Sequence, residues 1–130
     1  MFATWLYVSS SLLTQNADAE IANIRSIAEA RNSELRLTGV LLLSGRHFAQ
    51  FLEGTEPNLH IMKTSICRDH RHTGIVTLPT DPVEKRRYGR WVLAYSGWAT
   101  HIDRVLSDAL RKNDARKLLR YMDEFVAKRH

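Results

Sequence analysis

The sequence predicts an α+β domain of ferredoxin-like type: a β-α-β-β-α-β-β run with two helices on one face of a mixed sheet, and two carboxyl-terminal helices covering the other. Three observations carry this. Apolar residues recur at helical spacing in two early segments, short β-favouring runs flank each of them, and residues 100–130 hold two more amphipathic stripes with no strand between. With one sheet face already taken, those last stripes bury themselves against the free one.

The first strand is Thr4 to Ser10, where Trp5, Leu6, Tyr7 and Val8 are aromatic or aliphatic. Leu12 to Gln15 connect it to a helix capped by Asn16, with Asp18 and Glu20 in the first turn and Ile21, Ile24, Ile27 and Ala28 at helical spacing up to about Asn32. A hairpin follows. Val40 to Leu43 form its first arm, Ser44-Gly45-Arg46 its turn, and Phe48, Phe51 and Leu52 the apolar positions of the second arm before Glu53-Gly54. The uninterrupted first arm reads as a central strand covered on both faces.

Thr55 is placed to cap the second helix, Pro57 is tolerated in its first turn, and Leu59, Met62 and Ile66 form its buried stripe. Ile75 to Leu78 is the fourth strand, Pro79 to Pro82 a turn or bulge, and Trp91 to Tyr95 the fifth strand. Thr100 and Asp103 mark a third helix, striped by Ile102, Val105, Leu106 and Ala109. Asn113-Asp114 opens a fourth, whose stripe is Ala115, Leu118, Leu119, Met122, Phe125 and Val126. Packing against the sheet is a better account of these stripes than a surface reserved for another subunit.

A length of 130 residues suits one domain, and a charged quarter with 44% apolar residues is the balance of a globular protein without a membrane span. The amino terminus shows no signal-type segment, so a cytoplasmic location is expected. Cys67 is the sole cysteine, which excludes an internal disulfide and two-cysteine zinc motifs. The net charge of +5 reads as a solvated basic face with a share for a cofactor's phosphates. Two rival functions fit less well. An RNA-binding sheet of this topology needs exposed aromatics where Val40 to Leu43 are aliphatic, and an acyl-phosphate hydrolase needs a glycine-rich phosphate cradle that is missing.

Gln50 is the odd residue of the hairpin. By residue type alone it belongs on the strand's polar face, since a buried amide needs partners for two donors and an acceptor. Its surroundings carry a resemblance that changes this reading. Thr38-Gly39, then Phe48-Ala49-Gln50-Phe51-Leu52-Glu53-Gly54, resemble the hairpin of the BLUF family, blue-light sensors that hold a flavin. Leu6 to Ser10, Ala30-Arg31-Asn32, Asp69-His70-Arg71-His72, and Arg86-Arg87-Tyr88 with Trp91 are similar too, in the family's order and spacing, over roughly residues 3 to 96.

That resemblance implies a photoreceptor rather than an enzyme, with one noncovalent flavin, FAD in preference to FMN. It implies a sensor over residues 1–97 and a helical cap or output segment over 98–130. Tyr7 and Gln50 become the photoactive pair, electron donor and hydrogen-bond relay. Ile24, Ala28 and Ile66 flank the ring, Asn32 meets its carbonyl edge, Asp69 lies near the ring and ribityl chain, and Arg31, Arg71 and His72 are placed for the flavin's polar parts. Trp91 and Leu93 carry the signal across the sheet. Two positions depart from the family pattern: Ser65 replaces an arginine and Leu93 replaces a methionine. The expected partners are a second copy of the chain and a downstream protein, with neither membrane nor nucleic acid.

Overall fold

The computed structural model describes residues 1–13, 17–95 and 101–128, with side chains for all of these except Ala17 and Tyr95. The elements are β1 (Ala3–Ser11), α1 (Ala17–Glu34), β2 (Thr38–Leu43), β3 (His47–Gly54), α2 (Glu56–Cys67), β4 (His72–Leu78), β5 (Trp91–Tyr95), α3 (His101–Lys112) and α4 (Ala115–Ala127). The sheet order is β4-β1-β3-β2-β5, antiparallel except for the β2–β5 pair. The predicted order of elements holds throughout, and β2 and β3 are interior strands as the hydrophobic run requires.

Strand alternation divides the core into two layers. On one face Tyr7, Leu41, Leu43, Phe48 and Leu52 meet Ile21 and Ile24 of α1 and Leu59 and Met62 of α2. On the other, Leu6, Val8, Val40, Leu42 and Phe51 meet Leu106 and Ala109 of α3 and Leu118 and Met122 of α4. Both carboxyl-terminal stripes are therefore buried against the sheet. Among the described residues no helix is long and apolar enough to cross a membrane.

Several local readings change. The fourth strand begins at His72 rather than Ile75, because β4 stays paired with β1 through Thr73 and His72 beyond an irregularity between Val8 and Ser10. Thr55 occupies the cap position of α2 but makes no side-chain capping bond. Asp114 does cap α4, accepting from Lys117 N. Asp103 opens α3 as expected, yet it is also buried and accepts a 2.6 Å hydrogen bond from Ser44 Oγ in the hairpin turn. The roles expected of Asn16, Trp98 and Thr100 fall outside the described residues.

Two residues brace β3. Gly39 on β2 has φ +154°, and a Cβ there would lie 1.8 Å from the Phe51 carbonyl oxygen, so only glycine allows this approach. Glu53 is fully buried. Its carboxylate accepts from Arg87 N at 2.7 Å, Tyr88 N at 2.8 Å and Thr38 Oγ1 at 2.9 Å, which ties the segment before β5 to the end of β3.

Candidate functional site

A pocket opens between α1, α2 and the sheet, and its floor follows from strand register. Tyr7 of β1 stands directly opposite Gln50 of β3, Gln50 opposite Leu41 of β2, and Leu41 opposite Leu93 of β5. One line of side chains therefore crosses four strands on the helix-facing side. Gln50 is 4% exposed, so its amide is committed to partners inside the protein. Its Nε2 donates to Tyr7 Oη at 2.9 Å, and its Oε1 accepts from Trp91 Nε1 at 3.0 Å. An indole N–H is only a donor, so Trp91 decides which end of the amide faces it and leaves the NH₂ group to Tyr7. Burial pushes the Tyr7 phenol well above its ordinary value, and the Gln50 hydrogen bond only partly offsets this. Tyr7 is a protonated phenol at neutral pH.

The walls are apolar. Ile24 and Ala28 of α1 and Ile66 of α2 line the pocket, joined by Ile27, Leu41, Phe48 and Met62. Asn32, 2% exposed, lies at the end of α1, and its Oδ1 has no hydrogen-bond partner among the described residues. A buried carbonyl without a donor costs free energy unless a ligand supplies one. Toward the mouth stand Arg31, Asp69 and Arg71. Asp69 Oδ1 accepts from Arg71 N at 2.9 Å, and the Arg71 guanidinium lies 3.7 Å from Asp69 Oδ2.

His72 lines the same pocket with both ring nitrogens engaged. Its Nε2 faces the Ile66 carbonyl oxygen at 2.9 Å and so carries the proton, which leaves Nδ1 to accept from Ser9 Oγ at 2.6 Å. The ring stacks on Phe48 at 5.2 Å. It is a wall that joins β1, α2 and β4.

All nine residues proposed to hold a cofactor line this one pocket, as does Tyr7. Trp91 reaches the site through Gln50, and Leu93 is buried at the far end of the cross-strand line. Ser65, where the family pattern has arginine, also lines the pocket, but Lys63 and Arg68 do not replace that charge there. Lys63 instead lies over the Trp5 ring, 5.1 Å from its centroid. Trp5 itself is core, donating to Thr77 Oγ1 at 3.0 Å. Sequence reasoning missed Phe48, Leu41 and Met62 as lining residues, and Ser9 as the partner of His72 behind the wall. Phe48 was accessible from its two-residue spacing to Gln50; the others depend on register and helix docking.

The residues present suit a flavin: a flat apolar slot, an unpartnered carbonyl at its edge, and an amide and a phenol on its floor. Comparison with known proteins agrees. The family model described as "BLUF: Sensors of blue-light using FAD" matches residues 2–94. The chain is 34% identical over 124 residues to the blue light- and temperature-regulated antirepressor BluF of Escherichia coli (strain K12), covering 95% of this chain and 30% of that protein. It is 33% identical over 101 residues to photoactivated adenylate cyclase subunit alpha of Euglena gracilis, covering 77% of this chain and 10% of that protein. The chain thus spans less than a third of these relatives' lengths. Among solved structures, the dark state of BlrB, a BLUF protein, superposes with a TM-score of 0.77 at 24% identity, over 99% of this chain and 97% of that one. Klebsiella pneumoniae BlrP1 with FMN and cyclic diGMP superposes with a TM-score of 0.64 at 30% identity, over 98% of this chain and 35% of that one.

Proposed function

This chain belongs to the BLUF family, sensors of blue light that use FAD, and from that membership we propose how its own residues perform the sensing. The bound flavin supplies light absorption and an oxidising excited state. Tyr7 is the donor beside it: loss of an electron would make the phenol strongly acidic, and the Gln50 amide would take up the proton only through Oε1, because the NH₂ group that faces Oη here is itself a donor. Gln50 is the relay, since its carboxamide can donate at one end and accept at the other, and a reversed orientation or tautomer changes every hydrogen bond it makes. Asn32 holds the ring edge, Ile24, Ala28 and Ile66 its faces, and Arg31, Asp69 and Arg71 the polar chain. His72 keeps the wall in place. Nothing is consumed, so this is a switch and not an enzyme.

The observation that carries the reading is the unbroken path Tyr7–Gln50–Trp91, with bonds of 2.9 and 3.0 Å, on the floor of the pocket that Asn32 closes. Tyr7→Phe and Gln50→Ala each remove one link. Both variants should bind flavin and lose the reversible red shift of the absorption band under blue light. A normal shift in either would show that the pair is assigned wrongly.

For output, we assign the strand-to-helix connection at Glu53. The segment it holds continues outward: Arg87 donates twice to Asp123 of α4, at 2.8 and 2.6 Å, and Tyr88 Oη donates to the same carboxylate at 2.7 Å. Tyr88 also meets Phe51, the neighbour of Gln50, edge to face at 5.7 Å. A change at Gln50 that shifts β3 therefore biases the seat of α4, and Trp91 and Leu93 do the same through β5. The relatives are an antirepressor and a cyclase subunit, and the readout proposed for this domain is contact with another protein or a second copy of this chain. Sedimentation of the chain in darkness and under blue light tests this.

A further inference from the structure

The basic excess of this chain is not evenly spread. Six cations, Arg104, Lys112, Arg116, Lys117, Arg120 and Lys128, are exposed on or beside the outer faces of α3 and α4, and none has an ion-pair partner among the described residues. The carboxylates of the same helices are mostly spent elsewhere. Asp103 is buried on Ser44, Asp108 pairs with Arg111 at 2.7 Å, Asp114 caps α4, and Asp123 holds Arg87 and Tyr88. Among the described residues only Glu124 is an exposed, uncommitted acid on this side. The outer surface of α1 differs, with Asp18, Glu29 and Glu34 exposed around Arg25.

Arg116 and Arg120 lie one helical turn apart, where like charges weaken a helix, and among the described residues no acid forms an ion pair with either. An external anion would. The fork-shaped guanidinium groups suit carboxylates and phosphates alike, so the rest of the surface has to discriminate. Among the described residues the exposed aromatic ring of this face is His101, and it is engaged with Tyr121 at 5.5 Å between ring centroids; Glu124 stands among the cations, against a continuous phosphate chain. Leu110 and Leu119 are half-buried beside the basic positions, supplying the apolar contact that a protein interface uses at its centre.

We propose that the outer face of α3 and α4 is a docking surface for an acidic protein partner, which presents a Glu- and Asp-rich segment to Arg116, Arg120 and their basic neighbours. The docking itself is independent of the photochemical roles given to Tyr7 and Gln50; only its response to light rests on them.

The test is therefore made in darkness. Fluorescence anisotropy of a labelled, glutamate-rich helical peptide is titrated with the flavin-loaded chain, and a labelled DNA duplex of equal charge is titrated in parallel. The expected result is peptide binding that weakens with salt, falls at least tenfold in Arg116→Glu/Arg120→Glu, and is unchanged in Arg25→Glu, with the flavin band intact. Lys112→Glu/Lys117→Glu should repeat the loss and replaces the first variant if that one fails to hold flavin. Peptide binding unaffected by both charge reversals overturns the proposal. Duplex binding equal to or tighter than peptide binding also overturns it, making this face a nucleic-acid surface.

Discussion

Trp91 sets the direction of the Gln50 amide: its indole nitrogen donates to Oε1 over 3.0 Å, and the opposite end of the amide then has to face Tyr7. Trp91→Phe keeps an aromatic ring but removes that donor, together with part of the indole's volume. One hydrogen bond is worth about 1 kcal/mol, roughly a fivefold change in the balance of two amide orientations. Flavin should stay bound, and recovery of the dark absorption after blue light should change by about that factor. Recovery at the wild-type rate would mean that Trp91 does not select the orientation.

Asn32 gives a prediction with opposite signs in two states. Its buried, unpartnered Oδ1 burdens the protein without flavin and serves the protein with it. Asn32→Leu, nearly the same size, should leave the flavin-free chain as stable or more stable, by up to about 1 kcal/mol in urea unfolding. The same variant should bind flavin at least tenfold more weakly. Loss of stability without loss of affinity would make Asn32 a purely structural residue.

Glu53 should be the most sensitive polar site outside the pocket. In Glu53→Gln one carboxylate oxygen becomes an NH₂ group facing a donor, Arg87 N or Tyr88 N, where it cannot accept. A cost of about 3 kcal/mol is expected, and hydrogen exchange should show loss of protection in α4 as well as in the segment before β5.

The Asp123 contact predicts an acid-sensitive seat for α4. Burial raises the carboxyl's pKa, but the Arg87 and Tyr88 hydrogen bonds outweigh it and leave Asp123 below its ordinary value of 3.8. A lowered folded-state value adds stability that is present above 3.8 and disappears as the pH falls through the lowered value. Since Asp123 is 42% exposed, solvent screening holds the contribution to about 1 kcal/mol. Asp123→Asn should be less stable than wild type by that amount at pH 6, and the difference should shrink from about pH 4 downward.

Much of this molecule was legible without coordinates, because local chemistry decides it. Apolar periods mark every helix and strand, Asp114 caps α4 with its own side chain, and the order of elements restricts the topology to a ferredoxin-like sheet. The residues that the resemblance singled out for a cofactor are brought by the fold to one pocket, since short motifs keep their order along the chain. What the sequence left open are relations between distant residues. Gln50 as a residue type belongs on a polar face; only the register that sets it opposite Tyr7 and the approach of Trp91 supply the partners that make its burial tolerable. The second ends of Glu53 and Asp103, whose carboxylates look like surface acids at a strand end and a helix start, lie 34 and 59 residues away at Arg87 and Ser44. Hydrophobic periodicity says which face of an element turns inward, but a buried polar group is satisfied by whichever donor the packing delivers, and packing is decided by the whole chain at once.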